Sequence, residues 1–300
     1  MNQTTVFEEG AAILPPKLRE RALALPEGIR QKASELRLRV GREPAAVLEG
    51  DELPLPGEGK VSRRDLELTV EIATQASPQA ALEQLRQGYF TLRGGHRLGL
   101  CGSVWTQEGQ VKNLRRLSSL NLRLAHAVPG CGARVLRELG AEGGFPDTLI
   151  LAPPGGGKTT LLRDLIRLLS DGLILPPLRV GLCDERGEVA ALWEGEPQFD
   201  VGGRTDILEG CPKDQGLLML LRAMTPQVLA CDEITHPDDL RALETCGNCG
   251  SRLLATVHAG DVEELWEKPL YRELLRRKLF RRAVVVDRTR DDPYRVEVLS

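Results

Sequence analysis

The chain has 300 residues, of which 41% are hydrophobic, so it is long enough for one large or two ordinary domains with sizeable cores. Its formal net charge of −3 offers no general attraction to nucleic acid, and we expect no nucleic-acid partner. No apolar run approaches the roughly 18 residues of a transmembrane helix, and residues 1–10 lack the pattern of a secretion signal. These features predict a protein of the cytosol, and an odd number of cysteines, seven, fits a reducing compartment.

Residues 1–125 predict a smaller N-terminal domain of mixed α+β structure without a catalytic signature. Alternating or apolar runs between prolines and glycines predict strands at residues 36–40, 45–48, 89–92, 97–104 and 114–126. We expect helices to begin after Ser62 and at Ser77-Pro78, because serine caps helix N-termini and proline suits the first turn. Gly88 would end the second of these helices.

Residues 126–300 predict a larger α/β domain with a largely parallel sheet. After a short helix at Ala133–Leu139, apolar strands alternate with helices or turns: residues 148–152, 178–184, 227–232, 252–258, 282–287 and 294–299. The carboxyl ends of parallel strands lie along one edge of the sheet, where ligands bind. We therefore expect the polar residues that end these strands to converge on one site.

A glycine-rich loop follows the first of these strands and ends in Gly157-Lys158-Thr159, as in a P-loop (Walker A). Its glycines let backbone N–H groups hold phosphates at a helix N-terminus. Lys158 would reach the β and γ phosphates and Thr159 the Mg²⁺ ion; Ala152 stands where the pattern has glycine. Nine consecutive residues are thus predicted to bind nucleotide: Ala152, Pro153, Pro154, Gly155, Gly156, Gly157, Lys158, Thr159 and Thr160.

Two adjacent acids, Asp232 and Glu233, end the apolar run that begins at Val228, as in a Walker B segment. Asp232 is predicted to hold Mg²⁺ through water and Glu233 to polarise the attacking water, since phosphoryl transfer needs both a metal and a positioned base. The alternative interpretation is a pair of helix-capping acids after a core strand.

A second acidic strand end, Asp184-Glu185, allows two functional interpretations. It could be an auxiliary acidic box of an ATPase, or Asp184 and Gly187 could form the D-x-x-G motif of a GTPase. Guanine specificity would need a later Asn-Lys-x-Asp tetrapeptide, and the chain has none, which favours ATP over GTP. A plain surface turn is the third interpretation.

Histidine and cysteine supply the remaining candidates. His258 ends another strand, where it would sense the γ phosphate; His236 is a less certain candidate on the turn after Glu233. Cys246 and Cys249 form a lone C-x-x-C without a second pair at zinc-like spacing, so we expect no metal there and leave their role open.

Motifs along nearly the whole chain resemble those of the stage III sporulation protein AA family. They are Gly94-Gly95-His96-Arg97, residues 118–123, residues 152–159, Asp184-Glu185-Arg186, residues 203–206, Cys211-Pro212-Lys213 and Asp232-Glu233-Ile234. Two departures from the family pattern are visible: Thr235-His236, where a glycine is usual after Ile234, and Ala259, which separates His258 from Gly260.

The resemblance implies a relative of the type II and type IV secretion and pilus ATPases, with a RecA-like P-loop NTPase core. The Asp box would be Asp184-Glu185 and the His box His258. It further implies a hexameric ring in the mother-cell cytoplasm of an endospore-forming bacterium. That ring would lie at the periphery of the membrane facing the forespore and dock on membrane-embedded channel proteins that connect mother cell and forespore.

The leading hypothesis is an ATP-hydrolysing, Mg²⁺-dependent motor that moves its N-terminal domain against the core. Its predicted catalytic residues are Lys158, Asp184, Glu185, Glu233 and His258, and its predicted metal ligands are Thr159 and Asp232. A nucleotide-gated assembly scaffold and a RecA-like nucleic-acid translocase are the alternatives. A ring ATPase also needs an arginine from a neighbouring subunit. The sequence does not choose among Arg93, Arg97, Arg115, Arg116, Arg123, Arg186 and Arg204.

Overall fold

A computed structural model describes residues 3–74, 88–107 and 110–299. The chain forms two compact units, one of Met1–Ala127 with Trp193–Gln198 and one of Val128–Leu192 with Phe199–Ser300. The sequence gives no sign that Trp193–Gln198 belongs with the first unit. The helix expected from Ser77 to Gly88 lies largely outside the described residues.

The first unit contains four described helices and a six-stranded sheet. The helices are α1 Gln3–Ala11, α2 Pro16–Leu23, α3 Glu27–Lys32 and α4 Arg63–Ala73. The strands are β1 Glu35–Arg39, β2 Ala45–Leu48, β3 Asp51–Pro54, β4 Tyr89–Thr91, β5 Arg97–Gln107 and β6 Gln110–Arg123. All neighbours pair antiparallel, in the order β3-β2-β1-β6-β5-β4.

Local signals explain how parts of this unit form. Ser62 caps α4: its Oγ accepts a hydrogen bond from the Asp65 amide at 3.1 Å, and the Asp65 carboxylate accepts one from the Ser62 amide at 2.8 Å. Strand β6 pairs with both β1 and β5, so Leu122 lies between Leu36 and Leu98, and all three are buried. The strand predicted at residues 114–126 therefore lies in the middle of the first unit's sheet.

The second unit has a seven-stranded sheet with helices on both faces. Its helices are α5 Ala133–Leu139, α6 Lys158–Asp171, α7 Lys213–Met224, α8 Pro237–Asn248, α9 Val262–Glu267 and α10 Pro269–Arg276. Its strands are β7 Thr148–Leu151, β8 Val180–Asp184, β11 Thr205–Glu209, β12 Val228–Cys231, β13 Arg252–Val257, β14 Arg282–Val286 and β15 Tyr294–Val298. Between β8 and β11, the short β9 Leu192–Trp193 and β10 Glu196–Pro197 form a separate ribbon.

The order of the large sheet is β11-β8-β12-β13-β7-β14-β15, and all pairs except β14 with β15 are parallel. Successive residues of β7 are apolar because the sheet has a hydrophobic core on each face. Leu149 and Leu151 pack into one core and Ile150 into the other. Both faces of the strand are thus covered, as is usual in parallel sheets. The predicted α/β fold with a largely parallel sheet is confirmed.

His96 is a buried histidine of the first unit, next to a glycine-rich turn. Its Nδ1 accepts a hydrogen bond from the Ala125 amide at 3.1 Å, and burial, assisted by the charge of His126, lowers its pKa to about 4. Gly94 has a φ of 78°, and a Cβ there would lie 3.0 Å from His96 Nε2. Any other residue at position 94 would therefore crowd the buried imidazole and strain the backbone.

This lowered pKa predicts acid sensitivity of the first unit. An unfolded chain binds a proton at His96 near its ordinary pKa of 6.5, whereas the folded chain does so only near 4. Acidification therefore favours unfolding in this window, by about 2 kcal/mol between about pH 7 and about pH 5. Hydrogen exchange of β1 and β6 amides, corrected for intrinsic rates, should show this loss of protection. His96→Gln should remove much of this pH dependence. Replacing His236, an exposed histidine of the second unit, by Asn should not. An unchanged pH slope in His96→Gln would contradict this origin.

Candidate nucleotide-binding site

The loop between β7 and α6 has the backbone of an anion site. Gly155 and Gly157 adopt left-handed φ values of 73° and 98°, and Gly157 is the N-cap of α6. A Cβ at Gly156 would lie 2.9 Å from the Ala152 Cβ, so the loop closes tightly on its own first residue. The first amides of α6 have no carbonyl within the helix to bind, and they face the end of the loop with the positive end of the helix dipole. This arrangement suits a phosphate.

Asp232, directly after β12, is held in one orientation beside this loop. Its Oδ1 accepts hydrogen bonds from Thr256 Oγ1 at 2.8 Å and from the Glu233 amide at 2.9 Å. Its Oδ2 lies 3.5 Å from Thr159 Oγ1. The structure thus brings together the two residues predicted to hold the metal, and Thr256, which the sequence did not single out, orients one of them.

Lys158 and Glu233 both contact the same ring nitrogen of His258. His258 Nε2 lies 3.3 Å from Lys158 Nζ and 3.0 Å from Glu233 Oε1. One ring nitrogen either accepts from the lysine or donates to the carboxylate. Any anion that attracts Lys158 therefore leaves Nε2–H free to donate to Glu233.

Neighbouring cations contact Glu233 and the backbone of His258. Glu233 Oε2 lies 3.6 Å from Nη1 of Arg186, an exposed arginine on the turn after β8. On the other side, Lys268 Nζ donates to the His258 carbonyl at 2.6 Å and also pairs with Glu264 at 2.6 Å. The helices after β13 therefore hold the backbone of His258, while its side chain remains available to exchange partners.

The second acidic strand end has different partners. The Asp184 carboxylate is fully buried and accepts hydrogen bonds from the amides of Glu188, Val189 and Ala190 at 2.9, 3.0 and 2.9 Å. Burial raises its pKa, although these hydrogen bonds act in the opposite direction. Glu185 forms an ion pair with the buried Lys213. Both carboxylates thus hold the turn that carries Arg186, and the catalytic role assigned to them stays a prediction.

Arg163 on α6 also holds the turn after β8. It was not predicted as a site residue. Its guanidinium donates to the carbonyls of Val189 and Glu188 at 2.7 and 2.8 Å, and it stacks 3.6 Å from the centre of the Phe199 ring. Burial lowers its pKa to about 10. In the sequence, Arg163 is one of several polar residues of an amphipathic helix. Only its burial in the structure shows that it supports the site.

The other candidates have structural surroundings. His236 caps α8, with its Nδ1 accepting from the Asp238 amide at 3.3 Å. Cys246 is buried and Cys249 exposed, and both are free thiols. Within residues 3–74, 88–107 and 110–299, no cluster of three or more His, Cys, Asp or Glu side chains suits a metal ion, and no helix is long and apolar enough to cross a membrane.

Comparison with known proteins agrees with this geometry. The family model for sporulation stage III, protein AA matches residues 9–299. The chain is also 35% identical to the stage III sporulation protein AA of Bacillus subtilis (strain 168) over 285 residues, 95% of this chain and 92% of that protein. The chain belongs to the stage III sporulation protein AA family.

Solved structures of other proteins share the fold of this chain. The ATPase DotB of Legionella pneumophila covers 95% of this chain and 81% of its own length, with a TM-score of 0.62 and 16% identity. The pilus retraction motor PilT, solved with bound ADP, covers 89% of this chain and 80% of its own, with a TM-score of 0.60 and 14% identity. At these identities the likeness shows the fold, which is the RecA-like P-loop fold of secretion and pilus ATPases.

Removal of the Asp184 carboxylate should destabilise the second unit. Asp184→Ala leaves three amides, two of them buried, without acceptors, at a cost of about 3 kcal/mol. Asp184→Asn keeps one acceptor oxygen and should cost less. Thermal unfolding measures both, with Asp291→Ala, an exposed acid, as the control that should leave the midpoint unchanged. An Asp184→Ala midpoint equal to that of the unaltered protein would contradict the structural role.

Proposed function

We propose that the chain binds ATP with Mg²⁺ at residues 152–160 and hydrolyses it. The observation that carries this proposal is the meeting of Lys158, His258 and Glu233 around one nitrogen, beside the Asp232–Thr159 pair. A lysine, a carboxylate placed to act as a base and a metal-binding oxygen pair are the parts that phosphoryl transfer requires. They lie next to a helix N-terminus built to receive phosphate.

The residues present fit Mg²⁺. Thr159 Oγ1 and Asp232 Oδ2 are hard oxygen ligands and lie 3.5 Å apart, while Oδ1 is already engaged by Thr256. Mg²⁺ commonly takes one or two protein oxygens and completes its shell with water and phosphate. When bound, the ion would supply positive charge to the phosphate chain; Thr159 would contact it directly and Asp232 through water.

The remaining roles follow from the contacts. Lys158 would leave His258 for the phosphates, because a polyphosphate attracts an ammonium group more strongly than a neutral imidazole does. Nε2–H of His258 would then donate to Glu233 and fix the carboxylate that orients the attacking water. His258 would thus couple the arrival of the terminal phosphates to the position of the base.

We further propose that this hydrolysis drives a motor in sporulation. Membership of the stage III sporulation protein AA family supports the context, and the fold shared with a pilus retraction motor supports the mechanical role. A hexameric ring of this chain, docked in the mother cell on membrane-embedded channel proteins, is the assembly that this proposal implies.

Two substitutions test the chemistry. Lys158→Ala should weaken ATP binding at least about tenfold and remove hydrolysis, because the phosphate-binding cation is lost. Glu233→Gln should keep binding and lower the rate by about 100-fold or more, because an amide cannot act as the base. Phosphate release and titration with a fluorescent ATP analogue measure both, with Lys278→Ala, an exposed lysine, as the control.

The outcomes separate the alternatives. Equal hydrolysis by the unaltered protein and Lys158→Ala would exclude this site as the source of activity. Tight ATP binding without phosphate release in the unaltered protein, together with cellular function in Glu233→Gln, would favour a nucleotide-gated scaffold.

Thr256 offers a test of the metal site that leaves its proposed ligands intact. Thr256→Val keeps the side-chain shape but removes the hydrogen bond that orients Asp232, so the Mg²⁺ concentration needed for half-maximal hydrolysis should rise about tenfold. Binding of ADP without Mg²⁺ should not change. The matched control is Thr148→Val, a buried threonine at the opposite end of β7, whose hydroxyl donates to the Pro146 carbonyl. An equal Mg²⁺ requirement in both variants would contradict the orienting role.

A further inference from the structure

Arg288 lies directly against the phosphate-binding loop. It belongs to the connection between β14 and β15, and a Cβ at Gly157 would lie 2.6 Å from its Nη2, 3.0 Å from its Nε and 3.1 Å from its Cζ. Both nitrogens are nearer to that position than Cζ is, so the guanidinium approaches the loop by its Nε–Nη2 edge. Its flat faces are therefore not pressed against the loop, and Arg288 is exposed.

Attraction between charges does not explain the position of Arg288. Its guanidinium lies at the N-terminal, positive end of the α6 dipole. Within the described part of the chain no carboxylate pairs with it, whereas the next arginine along the chain, Arg290, pairs with Asp287 at 3.0 Å. The guanidinium is therefore not engaged in an ion pair with the described residues and is available to a ligand.

The order of the sheet shows which end of a nucleotide Arg288 faces. Strand β7 lies between β13 and β14. Asp232 and His258 reach the loop from β12 and β13, on one side of β7, while Arg288 reaches it from β14, on the other. The terminal phosphates must face the hydrolytic residues, so the nucleoside end lies on the side of Arg288.

The β14–β15 connection is fastened to the rest of the unit. Arg134 on α5 donates to Asp292 Oδ1 at 2.7 Å and to the Tyr294 carbonyl. Burial, with the neighbouring Cys131 thiol, raises the pKa of Tyr294 to about 12, and the positive charge of Arg288 opposes that rise. Cys131 in turn contacts the Thr160 carbonyl, with its Sγ at 3.9 Å. The connection is therefore held against the first turn of α6, which keeps Arg288 at the loop.

We propose that Arg288 binds the nucleoside end of the nucleotide, with one flat face of its guanidinium stacked on the base. Arginine stacks readily on flat aromatic groups, and the approach of its Nε–Nη2 edge to Gly157 leaves the faces of this exposed guanidinium available for stacking. The strength of stacking depends on the area of the base and not on its hydrogen-bonding groups. The subsite therefore favours the larger purines over pyrimidines without choosing between adenine and guanine. This inference rests on the proposed nucleotide site.

The test compares ligands with and without a base. We would measure the Kd of ADP, a non-hydrolysable ATP analogue and inorganic tripolyphosphate for the full chain and its variants. Arg288→Ala should weaken ADP and the ATP analogue by the same factor, about tenfold, and leave tripolyphosphate unchanged. Arg288→Lys should fail to restore ADP binding, because an ammonium has no plane to stack. Arg290→Ala, the matched control, should bind all three ligands like the unaltered protein.

Three results would overturn the proposal. They are unchanged ADP binding in Arg288→Ala, an equal loss of tripolyphosphate binding, which would assign Arg288 to the phosphates, and full rescue by Arg288→Lys. Lys158→Ala separates this proposal from the one on which it rests: if that variant binds tripolyphosphate and ADP like the unaltered protein, the loop is not the nucleotide site at all.

Discussion

The parallel pairing of β12, β13 and β7 is the constraint on which the site depends. Ala255 lies opposite Cys231 on one side and Leu149 on the other, so the three strands reach the same edge of the sheet in step. Asp232, His258 and the loop after β7 begin at that edge because each directly follows its strand. A slip of one residue in β13 would turn Thr256 to the other face of the sheet and remove the hydrogen bond that orients Asp232.

Around this edge, side chains with fixed partners surround a few that can exchange them. Asp184 and Arg163 hold the turn after β8 from two directions, and both are buried and bonded to backbone groups. Lys158 and Glu233, by contrast, both contact Nε2 of His258, which can form a hydrogen bond with only one of them at a time. A rigid frame with a centre that changes partners is the arrangement that a nucleotide-responsive protein needs, since the response requires two states with different contacts.

The parts of the molecule that the sequence predicts are those encoded locally. The loop that ends in Gly157-Lys158-Thr159, the helix capped by Ser62 and the apolar strands all follow from short patterns. The structural partners of Asp184 do not, because three later amides donate to its carboxylate only once the turn has folded. Strand β11, at the sheet edge, was missed because only two of its five residues, Ile207 and Leu208, are apolar. They are adjacent, so the strand shows neither an apolar run nor an alternating pattern.

A structure of the protein with Mg²⁺ and a non-hydrolysable ATP analogue tests the central claim most directly. The proposed site predicts that Lys158 Nζ moves away from His258 Nε2 to within hydrogen-bond distance of the phosphates, while His258 stays on Glu233. It also predicts Mg²⁺ on Thr159, with Asp232 reaching the ion through water. Lys158 remaining on His258, with the nucleotide bound elsewhere or not at all, would contradict it.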